Sequence, residues 1–119
     1  MDRERFQELV EQAVADLPEF FREKLENIAI AIEDHPPPDV ASHSPGQMLL
    51  GLYRGVPLPE RSVWAFHPYP DAISIYQRNI ERICRTEEEI IQQVRETVMH
   101  EIGHYFGMNE EQLRELGLG

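Results

Sequence analysis

The chain has 119 residues, of which 41% are hydrophobic and 28% are charged, proportions near the average for soluble globular proteins. This length allows one core, so we predict a single domain over residues 1–119. The formal net charge of -11 repels phosphate backbones and anionic lipid headgroups, which argues against nucleic acid and membrane surfaces as partners.

The longest apolar runs, such as residues 28–32 and 48–53, are far shorter than the roughly 20 residues of a membrane helix. The N-terminal sequence MDRERFQELV is charged and lacks the apolar core of a secretory signal. We therefore expect a cytoplasmic protein. Cys84 is the one cysteine, so a metal site in this chain would need nitrogen and oxygen ligands.

The first predicted element is an amphipathic helix over about residues 3–17, which Asp2 can cap and Pro18 stops. A second short helical stretch follows near residues 18–24. The segment IAIAI at 28–32 alternates isoleucine with alanine, which favours a strand buried on both faces with a helix against the smaller side chains. The apolar positions of the first helix keep the helical period: Phe6, Leu9, Val10, Ala13, Val14 and Leu17.

Residues 33–47 contain four prolines and few apolar side chains, and we predict that they form a surface loop. Four side chains of this loop are of metal-ligating types: Asp34, His35, Asp39 and His43. The intervening prolines and the mobility of such a loop disfavour preorganised coordination, so we do not assign a metal site there.

Three further strands are predicted at residues 48–53, 62–66 and 72–77. Turn signals at 54–59 and 68–71 separate them, and short connections favour antiparallel neighbours. The last strand, AISIYQ, directly precedes the C-terminal helical region. We expect it to be an edge strand, where a peptide could bind by strand addition; an ordinary sheet strand is the alternative.

The C-terminal part of the chain is predicted to be helical. Asn79 could cap a short turn that runs through Cys84. Thr86 and Glu89 have the spacing of a capping box, which begins a long helix that continues through Phe106.

A final short helix is predicted after the long one. Gly107 supplies the left-handed residue that helices prefer at their C-terminal end. Asn109 and Gln112 have the pattern of a cap and third helical residue, and Gly117 closes the helix. Helices at both ends and strands between them indicate an α+β fold.

Residues 100–110, HEIGHYFGMNE, have the composition of a metal site. His100 and His104 are four residues apart and project from one face of a helix, so both can bind one zinc ion. Glu101 lies beside His100 and can reach a water at the metal without being a ligand. In such a site the metal activates the water and the glutamate takes its proton.

A catalytic zinc usually has three protein ligands, so a third must come from elsewhere. Gly107 lets the chain leave the helix with a positive φ and turn back, which places Glu110 to bring a carboxylate to the ion. The alternative is structural. In that case the two histidines are ordinary boundary residues, and Glu110 with Glu111 only favours the N-terminus of the last helix through its dipole.

The motif resembles the extended HExxHxxGxxH/D signature of metzincin and Asp-zincin peptidases. Most of residues 5–117 resembles small bacterial zincin-like metallopeptidase domains, sometimes called minimal zincins. His100 and His104 match the first two ligand positions and Glu101 the general base, while Glu110 stands where the pattern more often has aspartate. The resemblance implies a small mixed sheet of about four strands on an N-terminal helix and a C-terminal active-site helix, with zinc below the edge strand and a peptide along that edge.

Downstream of the motif the chain departs from this resemblance. Metzincins have a methionine-containing turn beneath the metal, whereas nine residues follow Glu110 here and Met108 lies inside the motif. Either other residues form the floor of the site, or the metal is held weakly. Three residues are candidates for the oxyanion donor by their proximity in the predicted fold: Tyr105, Tyr76 and His67.

Two functional hypotheses follow from these features. The first is a zinc-dependent peptidase that acts on a peptide or protein substrate. The second is a zincin-fold module that binds metal or peptide with little or no turnover, because so small a domain has little room for the second lobe of a peptidase cleft. Formation of a homodimer would be one way to complete that cleft.

Overall fold

In the computed structural model of the protein, the described residues are 1–25, 28–43, 46, 48–55 and 71–115. Helices and strands follow one another along them in this order: α1 (Arg3–Ala15), α2 (Glu19–Arg22), β1 (Ile28–Glu33), α3 (Pro38–His43), β2 (Gly51–Arg54), β3 (Asp71–Tyr76), α4 (Gln77–Ile83), α5 (Glu87–Tyr105) and α6 (Glu110–Glu115). None of the described helices is long and apolar enough to cross a membrane.

The strands form a mixed sheet in the order β1-β3-β2. β1 runs parallel to β3, with Ile30 opposite Ile73, and β2 runs antiparallel to β3, with Gly51 opposite Ile75. A mixed sheet packed with helices confirms the predicted α+β class. The described part of the sheet has three strands; the fourth predicted strand, at 62–66, lies outside the described residues.

Two expectations about the strands are wrong. β3, which contains most of AISIYQ, is the central strand because it pairs with a neighbour on each side. Both β2 and β3 pack on α5. β1 is buried on one face, since its isoleucines are half-buried and Ala29 and Ala31 are exposed. Alternation of large and small side chains therefore marks an inner and an outer face here.

The connection after β1 also differs from the prediction. The proline-rich segment contains the short helix α3 instead of being loop throughout.

Asn79 lies inside α4 and does not cap it, because its side chain is used elsewhere. Its amide donates to the Leu49 carbonyl at 2.8 Å, and its Oδ1 lies 3.1 Å from His35 Nδ1. Asn79 thus holds the segment before β2 against the sheet.

One apolar face of α5 packs on α1 and on the sheet. Residues two apart on a helix differ by about 200° in direction, so the buried Val98 and Ile102 lie opposite His100 and His104. The core therefore fixes α5 while leaving the histidines half-exposed. The core residues of the two packed helices are Phe6, Leu9, Val10, Ala13, Val94, Val98 and Ile102.

The predicted capping box at the start of α5 is confirmed. The Thr86 hydroxyl accepts from the Glu89 backbone N–H at 3.1 Å, and Glu89 Oε2 accepts from the Thr86 N–H at 3.3 Å. Two backbone donors that have no partner within the helix are thereby satisfied.

We predict that Thr86→Ala lowers the free energy of unfolding by about 1 kcal/mol, because the first turn of α5 loses its side-chain acceptor. Urea unfolding followed by circular dichroism measures the change. Thr86→Ser is the matched control and should retain most of the stability. Equal stability of the alanine and serine variants would contradict this role for the cap.

Candidate metal centre

Two turns near the C-terminal end of α5 present the histidines of the motif. His100 Nε2 and His104 Nε2 lie 3.0 Å apart. The side chains are 29% and 37% exposed, respectively. The pair therefore lies at the surface of the domain with its ring nitrogens directed to one point.

Gly107 reverses the chain after α5, as predicted. Its φ is 78°, its N–H donates to the His104 carbonyl at 2.9 Å, and the Met108 N–H donates to the Gly103 carbonyl at 2.9 Å. These two bonds form a Schellman motif, which satisfies carbonyls at the helix end. A residue with a Cβ would be strained at this φ.

The predicted start of α6 is also confirmed. The Asn109 N–H donates to Gln112 Oε1 at 2.9 Å, and the Gln112 N–H donates to Asn109 Oδ1 at 2.8 Å. This reciprocal pair caps the helix whose first residue is Glu110.

The short helix α6 is held against α5 by one apolar contact. Leu113 is fully buried and lies over Gly103, the glycine between the two histidines. A Cβ at position 103 would lie 2.2 Å from Leu113 Cδ2, so glycine is what lets α6 approach this closely. The sequence motif gave no reason to single out either residue.

This packing brings Glu110 to the histidines. Glu110 Oε1 lies 2.9 Å from His100 Nε2 and 3.7 Å from His104 Nε2. Two ligand atoms at zinc distances of about 2.0 to 2.1 Å in tetrahedral geometry are roughly 3.4 Å apart. The three separations of 2.9, 3.0 and 3.7 Å bracket that value, and two imidazoles with one carboxylate are a ligand set of catalytic zinc sites. The three residues could therefore hold a zinc ion.

Glu101 has a different environment from Glu110. It is 7% exposed, whereas the Glu110 side chain is 62% exposed. Ligand atoms of Glu101, His100 and His104 lie within 4.8 Å of one another. Its Oε1 accepts a hydrogen bond from the Tyr53 N–H of β2 at 2.9 Å, so Glu101 is anchored to the sheet beside the histidine pair.

The net effect of these surroundings is to raise the pKa of Glu101. Burial is the largest cause, and the nearby Glu110 carboxylate acts in the same direction. His104 and the Tyr53 N–H oppose the rise. Perturbed carboxylate pKa values of this kind are enriched at active sites.

Gly51 sets the distance between β2 and α5. A Cβ at this position would lie 2.8 Å from Thr97 Cγ2 and 3.3 Å from Glu101 Cγ. The Tyr53–Glu101 hydrogen bond depends on this close approach. The sequence contains one sign of this close approach. The predicted strand MLLGLY includes a glycine, and glycine in a strand often marks a place where another element comes near.

The two oxyanion candidates within the described residues are both buried. Tyr105 is 4% exposed and its phenol donates to the Lys24 carbonyl at 3.3 Å. Tyr76 is fully buried in β3. His67 lies outside the described residues. Neither tyrosine is available to a substrate in this arrangement, so that expectation is wrong for both.

We predict that Leu113→Ala weakens zinc binding on the order of tenfold, because α6 no longer holds Glu110 in place. The cavity should also cost about 2 to 5 kcal/mol of stability. Titration with zinc in the presence of a competing chelator, at a temperature where circular dichroism shows folded protein, measures the affinity. Leu113→Met keeps the volume and should bind zinc nearly as wild type does. Unchanged affinity in Leu113→Ala would contradict the positioning role.

A second prediction concerns the buried Glu101 in metal-free protein. Because its folded pKa is raised above the unfolded value of about 4.3, the folded state loses stability as pH rises from the unfolded pKa through the folded one. Glu101→Gln carries no charge and can still accept from Tyr53. Its stability relative to wild type should therefore increase with pH.

Urea unfolding of chelator-treated protein at several pH values between about 4 and 8 tests this dependence. Glu88→Gln removes an exposed carboxylate from the first turn of the same helix. The change should cost at most about 1 kcal/mol, and stability relative to wild type should not increase with pH, because a charged carboxylate is favourable at a helix N-terminus. A stability difference between Glu101→Gln and wild type that stays constant with pH would contradict the prediction.

Two comparisons relate the chain to known proteins. The chain has 25% identity to a conserved hypothetical protein from Thermo thermophilus, with a TM-score of 0.61 over 98% of this chain and 97% of that one. A search of curated proteins gives no match. The profile of the zincin-like metallopeptidase family matches residues 25–119, which include the whole candidate site. The chain therefore belongs to the zincin-like metallopeptidase family.

Proposed function

We propose that the protein is a zinc-dependent peptidase that hydrolyses peptide bonds in peptide or protein substrates. The observation that carries the proposal is the convergence of His100, His104 and Glu110 at separations suited to one tetrahedral ion. A separate buried carboxylate, that of Glu101, lies beside them. Membership of the zincin-like metallopeptidase family supports the same reaction class.

The donor set fits zinc, and His100, His104 and Glu110 would hold it. Bound there, zinc would polarise the substrate carbonyl and lower the pKa of water at the site. The residues of the chain then have distinct tasks. The histidines are fixed by the packed helix α5, and Glu110 is fixed by α6, so little reorganisation is needed to complete the ligand set.

Glu101 is the general base of the proposed reaction. Its Oε1 is held by the Tyr53 N–H, which leaves Oε2 to take a proton from the attacking water. The water oxygen forms a bond to the carbonyl carbon. Glu101 then delivers the proton to the peptide nitrogen as the C–N bond breaks, which yields a carboxylic acid and an amine.

A second candidate is a zincin-fold module that binds metal or peptide with little turnover. The observation that favours it is the burial of Tyr105 and Tyr76, which removes two expected donors to the developing oxyanion. Loss of one such donor in other enzymes reduces turnover about 10²- to 10³-fold. The two candidates share a metal site and differ in hydrolysis.

We predict that the purified protein binds one zinc ion per chain and cleaves members of a diverse peptide library. His100→Ala and His104→Ala should lose the metal, because each removes a ligand. Glu101→Gln should retain the metal and lose about 10²- to 10⁴-fold in hydrolysis, because it removes only the proton acceptor. Metal content by mass spectrometry and cleavage by chromatography measure both properties.

The outcomes separate the alternatives. Stoichiometric zinc without cleavage, or equal cleavage by wild type and Glu101→Gln, contradicts the peptidase and supports the binding module. Metal binding that is unchanged in His100→Ala and His104→Ala contradicts the site assignment itself. Glu88→Gln serves as a control for the charge change on the same helix.

A further inference from the structure

A groove leads away from the metal centre along α5. It has a volume of about 300 Å³ and lies between residues 48–51 and the helix. His100 and Glu101 line the end nearest the metal centre, and Glu96 lies one helical turn before His100. Four residues correspond to roughly 6 Å along the helix axis. A side chain next to a bond at the metal centre could therefore extend along the groove toward Glu96.

The wall opposite α5 is held in place by hydrogen bonds to the rest of the sheet. The Leu49 carbonyl accepts from the Asn79 amide at 2.8 Å, and the Leu50 carbonyl accepts from the Tyr76 N–H at 2.9 Å. Gly51 and Thr97 line the groove where β2 lies close to α5. Its shape is thus set before a ligand arrives, which lowers the cost of binding.

The chemistry of the groove is apolar along one wall and acidic on the helix. Met48, Leu49 and Leu50 supply the apolar wall. Glu96 and Glu101 supply two carboxylates, and none of the described lining residues is a lysine or an arginine. The neighbouring cation on α5, Arg95, is paired with Asp16. The Glu96 carboxylate accepts a hydrogen bond from the neutral Gln92 amide at 3.1 Å, and among the described residues no ion pair with Glu96 is found.

We propose that this groove binds a lysine or arginine side chain of the substrate, adjacent to the bond that is cleaved. The inference rests on the proposed peptidase function and names its substrate class. The alkyl stem of such a side chain packs on the apolar wall while its charged end meets Glu96. An apolar side chain would displace water from the Glu96 carboxylate and would offer no hydrogen-bond donor in its place. The net charge of -11 also favours capture of cationic peptides over anionic ones.

Binding of three peptides to zinc-loaded Glu101→Gln tests the proposal without cleavage. The peptides have blocked ends and small neutral residues, with a central lysine, norleucine or glutamate. Norleucine has the same stem as lysine without the charge. Isothermal titration or fluorescence anisotropy should show that the lysine peptide binds roughly threefold more tightly than the norleucine peptide, the size expected of an exposed ion pair. The glutamate peptide should bind most weakly.

The preference should disappear when Glu96→Gln is added and should reverse toward the glutamate peptide when Glu96→Lys is added. Glu88→Gln changes the net charge by the same amount as Glu96→Gln but lies outside the groove on the same helix. This control variant should retain the preference for the lysine peptide. An equal preference in the Glu96→Gln and Glu88→Gln backgrounds, no preference for lysine, or no binding of any peptide at millimolar concentration would overturn the proposal.

Hydrolysis by the wild-type protein is measured separately, so the two proposals can fail independently. Cleavage without a preference for lysine or arginine contradicts the groove assignment and leaves the peptidase standing. A lysine preference in binding that depends on Glu96, without any cleavage, supports the groove as the recognition site of a binding module and contradicts the peptidase.

Discussion

The packing of Leu113 on Gly103 is the contact on which the candidate metal centre depends. Helix α5 alone supplies two histidines on one face, but a catalytic zinc usually takes three protein ligands. The third side chain, Glu110, comes from a helix of six residues that has little stability of its own. Because Leu113 is fully buried over a glycine, α6 can approach α5 closely enough to bring the Glu110 carboxylate to the histidine pair.

A second close approach involving glycine places the buried Glu101. Gly51 lets β2 lie against α5, and the Tyr53 N–H then binds Glu101. The two carboxylates of the centre therefore have separate supports and different exposure. Glu110 is presented to solvent beside the histidines, whereas Glu101 is buried and its pKa is raised. This separation of a ligand from a proton acceptor is what the proposed hydrolysis requires.

Local patterns predicted the two ends of α5 and the start of α6 well, because caps and turns are determined by neighbouring residues. They missed α3 and assigned Asn79 a capping role that it does not have. The capping box at Thr86, the left-handed Gly107 and the cap of α6 all appear as expected.

The order of the strands in the sheet was less predictable from the sequence. β3 was expected at an edge and is central, since strand pairing depends on distant residues that periodicity does not reveal. Gly103 and Leu113 were missed for the same reason: their contact is visible only once α6 has turned back.

The central claim is that Glu110, and not Glu101, completes the metal site with the two histidines. A crystal structure of the zinc-loaded protein, with the ion located by anomalous scattering at the zinc edge, tests it most directly. We expect one ion within about 2.0 to 2.2 Å of His100 Nε2, His104 Nε2 and a Glu110 oxygen, with Glu101 still bonded to the Tyr53 N–H. An ion bound by Glu101 in place of Glu110, or an ion elsewhere in the molecule, would contradict the account.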